Sequence, residues 1–454
     1  MTIVILAEKP SVANDIANVL GVKGKHETHW EGSGLVVTWA VGHLLQLKYM
    51  DDYDAAFKDW RKTVDRLPFV PETFEYKPIG GRGKKQLTAV SKLIKDKSVT
   101  EIVNACDAAR EGELIFRTIV QHTKSKVQTS RMWLQSMTKD AITTAYEQRK
   151  DGTEYNALMD AAYARSEADW IIGMNGSRIA NSFLPRKRNE RAAISLGRVQ
   201  TATLAMVVDH ELEVLGHKPL PFWQLNADFT AGEARWNARW ERTNHVDNPD
   251  EPDYKPHRIV EQAEHDSLKA LIESGEKADV TETRRDASEK PPLNFDLTSL
   301  QREANNMWSW SAKRTLGIAQ NLYADLKLTT YPRTDSRHLP NDMKEEISKI
   351  IRQLGAQDDF NPFSSTLTSD GLKNTGRNFD DAKVSDHFAI IPTGKIPDGF
   401  PSADHKKLYD LITRTFLASW YPPAVWDVQK RPALLGGARF LNQLRTINTP
   451  GSSP

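Results

Sequence analysis

The chain has 454 residues, 39% of them hydrophobic, with 61 basic and 60 acidic side chains for a net charge of +1. That length suggests about three domains, and no apolar run approaches the roughly 20 residues a membrane helix needs. A balance this close to neutral excludes nucleic-acid binding by bulk charge, so such binding must rest on local basic patches. The lone Cys106 excludes an intrachain disulfide framework and a cysteine-ligated zinc ribbon. The chain opens directly on a strand-like run with no signal peptide, and the expected compartment is cytoplasmic.

Ile3-Val4-Ile5-Leu6 is an uninterrupted apolar run, as a buried parallel strand requires. Ser11 is expected to cap the helix that follows and Gly21 to end it. Glu8 and Lys9 then sit where a strand ends and a helix begins, the place where open α/β sheets bind ligands. A surface ion pair is the plain alternative. Leu35 to Trp39 reads as a further strand, leading to Gly42-His43. Arg82-Gly83-Lys84-Lys85-Gln86 is expected as a basic loop before a helix. Glu101 to Cys106 repeats the buried strand, followed by Asp107-Ala108-Ala109-Arg110-Glu111-Gly112-Glu113 and an apolar-periodic helix. Asp107 and Glu111 converge if that helix starts near Arg110. Beside Glu8 they would form an oxygen-rich cluster suited to Mg²⁺.

From about Tyr155 to Ala205 the pattern is helical and locally basic. Its apolar spacing from Ala164 to Arg178 predicts a buried helix, with Arg165 and Asp169 an i, i+4 ion pair. Pro185-Arg186-Lys187-Arg188 is a cationic loop. In Ile194-Ser195-Leu196-Gly197-Arg198-Val199-Gln200-Thr201-Ala202, Gly197 permits close approach and Ser195, Arg198 and Gln200 offer phosphate donors. Residues 215–290 alternate short strand-like runs with polar loops, the turn region 248–253 among them. Asp296 or Thr298 starts the next helix, Ser311 caps another, and Pro340 opens a third. Trp308 and Trp310 suit core packing or base stacking. Between these helices lies Thr329-Thr330-Tyr331-Pro332-Arg333-Thr334-Asp335-Ser336. Pro332 biases Tyr331 to an extended backbone, so Tyr331 and Arg333 project together. A phenol can attack phosphorus and a guanidinium can hold phosphate oxygens; a polar turn is the alternative.

T-T-Y-P-R-T-D-S resembles the active-site tyrosine motif of the type IA DNA topoisomerases. Glu8 and D-A-A-R-E-G-E resemble the Toprim metal-binding signature, with Ala109 in place of its second aspartate. S-L-G-R-V-Q-T-A resembles the family motif that lines a single-strand groove, with Ala202 replacing a proline. Ser385-Asp386-His387-Phe388-Ala389-Ile390-Ile391-Pro392-Thr393 resembles a further family motif beside the tyrosine. The topoisomerase III branch is the most similar.

The resemblance implies a multidomain ring of mixed α/β, mainly-α and β-rich parts: a Toprim domain (1–154), a helical domain (155–214), a β-rich hinge (215–290), a cap bearing Tyr331 (291–395) and a return into the hinge (396–454). It implies that one DNA strand is cut and rejoined through a 5′-phosphotyrosine ester, without ATP or another nucleotide cofactor. Tyr331 is the expected nucleophile and Glu8 the general acid. Lys9 and Arg333 are expected to stabilise phosphoryl charge, with His387 at the phosphate. Glu8, Asp107, Glu111 and Glu113 are the expected metal ligands, for Mg²⁺. Ser195, Arg198, Gln200, Arg178 and His43 are the expected contacts to single-stranded or underwound DNA. A primase or Toprim nuclease would share the acidic cluster without needing Tyr331, and an impaired single-strand-binding protein would keep only the groove. The chain is expected to stop short of the family's full ring, leaving apolar helix faces between Tyr155 and Ala205 exposed.

Overall fold

A computed structural model describes residues 1–184, 193–246, 248, 254–373 and 375–451. The cationic loop 185–188 and most of the turn 248–253 lie outside the described residues. The chain forms two compact units, Met1–Asp209 with Leu293–Thr368 and Thr375–Arg414, and His210–Pro292 with Ser369–Asn374 and Thr415–Pro454.

In chain order, β1 (Thr2–Ala7) leads to α1 (Pro10–Val19), β2 (Gly24–Lys25), β3 (His29–Gly32), β4 (Leu35–Trp39), β5 (Leu45–Leu47) and α2 (Met50–Tyr53). Next come β6 (Tyr76–Pro78), α3 (Arg82–Ile94), β7 (Val99–Ala105), α4 (Arg110–Thr123), β8 (Gln128–Arg131), α5 (Lys139–Glu147) and β9 (Lys150–Asp151). Two long helices, α6 (Asn156–Phe183) and α7 (Arg198–Gly216), precede β10 (Asn226–Ala231), β11 (Ala234–Trp240), α8 (Gln262–Glu273), β12 (Asp279–Val280) and β13 (Thr283–Glu289). The last part holds α9 (Leu297–Trp308), α10 (Ala312–Ala324), α11 (Lys344–Leu354), α12 (Asn361–Asp370), α13 (Thr375–Asn378), α14 (Ala403–Ala418), β14 (Ala424–Leu435) and β15 (Ala438–Thr449).

In the first unit seven strands form one sheet in the order β2-β3-β4-β1-β7-β8-β9. Its centre, β4-β1-β7-β8, is parallel. Alternate side chains of β1 enter opposite cores: Val4 and Leu6 pack with Ile102 and Phe116, while Ile5 packs with Val37, Val103 and Ile16. Burial on both faces explains the unbroken apolar run of β1. Ala7 pairs with Trp39 and with Ala105, and Asn104 pairs with Arg131, so the carboxyl ends of the four parallel strands share one edge. Pro10 takes the first position of α1, where no N–H is needed, and Lys9 rather than Ser11 is the cap. Gly21, at φ 71°, ends the turn as expected. The basic stretch from Arg82 is the first turn of α3, not a loop.

Asp296 caps α9 through the Ser299 amide at 2.6 Å, and Ser311 caps α10 through the Arg314 amide at 3.2 Å. Pro340 opens only a 3₁₀ turn at Asn341–Met343 before α11. Trp310 is buried and lies 4.6 Å from the Trp308 ring, a packing contact. α6 is half exposed rather than buried: Trp170 is buried, but Ile172, Ile179 and Phe183 are exposed. α7 has no buried residue, and Val199, Met206 and Val207 are each at least 60% exposed.

In the second unit an antiparallel sheet runs β10-β11-β15-β14-β12, with β13 also paired to β14. Its core includes Ala227, Trp240, Ile259, Ala433 and Phe440. Among the described residues no helix is long and apolar enough to cross a membrane.

Candidate functional site

The site lies in the first unit, at the carboxyl edge of the parallel strands. Glu8 and Lys9 follow β1, Asp107 follows β7, and the segments 329–339 and 387–393 bring Tyr331 and His387 to them. Those two segments are zipped together. The Thr330 amide donates to Ile391 O at 2.9 Å, Thr330 Oγ1 to Ala389 O at 2.9 Å, and Thr334 Oγ1 to His387 O at 2.7 Å. The short-range hydroxyls around Tyr331 therefore hold its backbone. Pro332, Thr334 and Ser336 are buried while Tyr331, Arg333 and Asp335 are not, which is the alternation of an extended segment.

A cavity of about 300 Å³ is walled by Lys9, Asp107, Tyr323, Tyr331, Asp386 and His387, among others, but by neither Glu8 nor Arg333. Lys9 Nζ donates to Asp107 Oδ2 at 3.0 Å, stands 3.7 Å from Glu8 Oε1, and lies 4.6 Å from the Tyr331 ring centroid. His387 Nε2 is 3.3 Å from the same Asp107 oxygen, and its ring centroid is 4.4 Å from that of Tyr331. Tyr323 meets Tyr331 edge-on at 5.3 Å. Arg333 turns elsewhere. With the Gln320 amide oriented to satisfy both partners, its oxygen accepts from Arg333 Nε at 3.1 Å and Nη2 at 2.8 Å.

The electrostatics follow from crowding two carboxylates. Burial, and then the charge of Asp107, push the Glu8 carboxyl above its usual range despite Lys9. Burial also acts to raise Asp107, but the hydrogen bond with His387 and the charge of Lys9 outweigh it and hold Asp107 well below the usual range. Lys9 is raised, because Asp107 and Glu8 together overcome its burial.

The expected metal ligands are only partly gathered. Glu111 Oε2 is 3.1 Å from His43 Nε2 and its side chain is 60% exposed, so it is drawn away from Asp107. Among the described residues, Glu8, Asp107 and Glu111 do not bring three ligand atoms to one point. Glu113 is a correction to the expected ligand set. It is 1% exposed, accepts from Arg117 Nε at 2.7 Å and Asn104 Nδ2 at 2.8 Å, and has Arg131 Nε at 3.7 Å. Residues two apart on a helix face different ways, and α4 points Glu111 outward and Glu113 inward. What remains is a carboxylate pair with the Lys9 ammonium as its resident cation. That donor set fits Mg²⁺, which commonly takes one or two carboxylates and completes its shell with water.

Arg178 is a second correction. It is 4% exposed, its guanidinium lies 4.8 Å from the Trp60 ring and it donates to Met174 O, so it is part of the packing of α6. Ser195, Arg198 and Gln200 form a separate group between α6 and α7. Gln200 Nε2 donates to Ser195 O and Oγ at 2.7 and 3.0 Å, and Arg198 Nε to Asp169 at 2.6 Å. Asp169 thus pairs with Arg198, not with Arg165.

Two residues that the sequence did not single out hold the site. Arg131 at the end of β8 is 1% exposed and donates to Asn104 Oδ1 at 2.7 Å, Cys106 O at 2.8 Å and Asp107 O at 2.6 Å. Gln135 Nε2 donates to Val384 O at 3.0 Å and Ser385 O at 3.3 Å, just before His387. A polar strand and a lone glutamine carry no periodic signal that would have marked either.

The sequence family described as DNA topoisomerase matches residues 153–452, and that described as Toprim domain matches residues 3–137. The chain is 38% identical over 437 residues to DNA topoisomerase 3 of Shouchella clausii, covering 95% of this chain and 57% of the relative. It is 36% identical over 450 residues to DNA topoisomerase 3 of Bacillus subtilis, covering 99% and 59%. The chain thus spans less than two thirds of the length of these relatives. Full-length topoisomerase I from Thermotoga maritima shares the fold, with a TM-score of 0.62 and 24% identity over 99% of this chain and 66% of that one. The Toprim domain is a metal-binding domain, and the match that covers most of the remaining chain settles the rest: this protein belongs to the type IA DNA topoisomerase family.

Proposed function

We propose that this chain cleaves and rejoins one strand of DNA, with Tyr331 as the nucleophile. The observation that carries the reading is the meeting, at one cavity, of the Tyr331 phenol with Lys9, His387 and Asp107 from segments far apart in sequence. Attack of Tyr331 Oη on phosphorus forms the ester to tyrosine and breaks the bond to O3′. The products are a 5′-phosphotyrosine and a free 3′ hydroxyl. His387, against the phenol ring and beside Asp107, is the group for the phenol proton. Glu8, raised by burial, gives its proton to the leaving O3′. Rejoining is the reverse transfer, so no bond energy is lost and no ATP is needed. Lys9 offsets charge on the phosphoryl oxygens, and Arg333 does so through the nitrogen that Gln320 does not engage.

Asp107 would hold a divalent ion of the Mg²⁺ class, joined by Glu8 once its proton has passed to O3′ and by Glu111 once released from His43. When bound, that ion supplies positive charge beside the phosphates. The substrate is single-stranded or underwound DNA, for which Ser195, Arg198 and Gln200 are the polar contacts. Their present hydrogen bonds would be exchanged for phosphate.

The test uses a 3′-end-labelled single-stranded oligonucleotide and a denaturing gel. The native chain should carry label at the protein position, and Tyr331→Phe should carry none while still shifting the oligonucleotide in a native gel. An undiminished adduct in the Phe variant would remove Tyr331 as nucleophile. A chain that only bound single strands would give the native shift and no adduct in either form. Withholding Mg²⁺ should block rejoining, and full rejoining without metal would strike the ion from the reading.

A further inference from the structure

His26, His29 and Glu31 meet at the β2–β3 hairpin, and nothing in the strand-cleavage chemistry uses them. The backbone explains the meeting. The His26 amide donates to His29 O at 2.8 Å, closing the connection through Glu27 and Thr28. That sets the two imidazoles opposite each other, and they stack with centroids 4.5 Å apart and planes 11° apart. Glu31 lies two residues beyond His29 on β3 and so leaves the same face. Both Nε2 atoms lie near one oxygen: His26 is 3.8 Å and His29 3.7 Å from Glu31 Oε2. One ligand atom from each residue lies within 4.8 Å of the others, the only such group of three among the described residues. His29 Nδ1 is 3.2 Å from Thr28 Oγ1. With Nδ1–H donating to that hydroxyl, the Nε2 lone pair is left free for a metal, the arrangement that fixes metal-binding histidines.

We propose that His26, His29 and Glu31 form a binding site for a zinc-class divalent metal, distinct from the Glu8–Asp107 pair, whose ion clamps the β2–β3 hairpin. Two imidazole nitrogens and one carboxylate oxygen select Zn²⁺ and its neighbours over Mg²⁺, which prefers oxygen throughout. Three protein ligands leave a fourth tetrahedral position for water. Tetrahedral Zn²⁺ with bonds of about 2.0–2.1 Å needs donors about 3.4 Å apart, so the two imidazoles must unstack and the three side chains turn inward to close on the ion. The His26 and Glu31 side chains, 52% and 60% exposed, have room to do so. His29 pairs with Thr38 of β4, which pairs with Leu6 of β1. At strand spacing that is roughly 10 Å from β1, on the same sheet but beyond ligand reach of Glu8.

The experiment titrates the purified full chain with Zn²⁺ by calorimetry and with Co²⁺ by visible absorption. The native chain should take up one equivalent at this site with tetrahedral Co²⁺ bands, undisturbed by excess Mg²⁺. His26→Gln, His29→Gln and Glu31→Gln should each weaken uptake at least about tenfold, and Thr28→Val by about tenfold through loss of the hydroxyl that orients His29. Asp107→Asn should leave it unchanged. Far-UV circular dichroism on each single variant reports folding, so that a lost site is told apart from a lost fold. Absence of saturable uptake by the native chain, or uptake unchanged in the His26→Gln/His29→Gln variant, would overturn the assignment.

Discussion

Gly112 sets how closely α4 approaches the loop that carries Asp107. A Cβ at this position would stand 2.1 Å from Asp107 O and 2.8 Å from Asp107 N, both backbone atoms that cannot swing aside. Gly112→Ala should therefore push the loop away, costing about 1–3 kcal/mol in urea denaturation as overpacking does. The DNA adduct should fall with it, since Asp107 sits against Lys9 and His387. A variant with native stability and adduct yield would show that the loop moves freely. The spacing of carboxylates in D-A-A-R-E-G-E was legible in the sequence, but their directions were not. Which of Glu111 and Glu113 faces inward depends on the rotational phase of α4, and that phase is fixed by packing against β7 and by Arg117 and Arg131. Arg178 misled for the same reason: an arginine on a basic helix reads as a phosphate contact until its neighbours are known.

Among elements, β1 and β7 announced themselves because burial on both faces demands continuous apolar runs. β8, reading Gln-Thr-Ser-Arg, did not, because its buried side chains are polar and find their partners outside the strand. Ser130 Oγ donates to Glu101 at 2.5 Å, and Arg131 reaches Asn104 and the Asp107 loop. Arg131→Met keeps length against the Trp133 ring, but it removes the charge facing Glu113 and leaves four acceptors, Asn104 O and Oδ1, Cys106 O and Asp107 O, short of a donor. We expect a loss of about 3–5 kcal/mol, the range for breaking a buried ion pair by removing one partner, read by urea unfolding followed by circular dichroism. A change near zero would mean the guanidinium is dispensable to the edge it underpins. The swap of Arg165 for Arg198 as the partner of Asp169 has a similar cause. The i, i+4 rule sees one helix, while Arg198 arrives on α7, brought there as Asn181 and Ser177 of α6 bind Ile194 and Leu196.

At the scale of the whole molecule, the first unit joins its α/β sheet to the segments that carry Tyr331 and His387 through a polar seam. Lys9 and Asp107 meet Tyr331 and His387, Gln135 reaches Val384 and Ser385, and Thr138 Oγ1 bonds Asp342 at 3.0 Å. That meeting could be expected from motifs in separate stretches, but not its contacts, which depend on long-range packing. The exposed face of α7 contrasts with this seam. Met206 is 72% exposed, so Met206→Gln should change stability by no more than about 0.5 kcal/mol, as surface substitutions do. A larger loss would show that α7 is covered in solution. The central claim, that Tyr331 is the residue joined to DNA, is tested most directly by mapping the adduct. Trypsin should release Leu328-Thr329-Thr330-Tyr331-Pro332-Arg333. After nuclease trimming of cleavage reactions, mass spectrometry should find this peptide carrying a 5′-linked nucleotide on tyrosine. A nucleotide on any other peptide, or none where cleavage has occurred, would contradict the account.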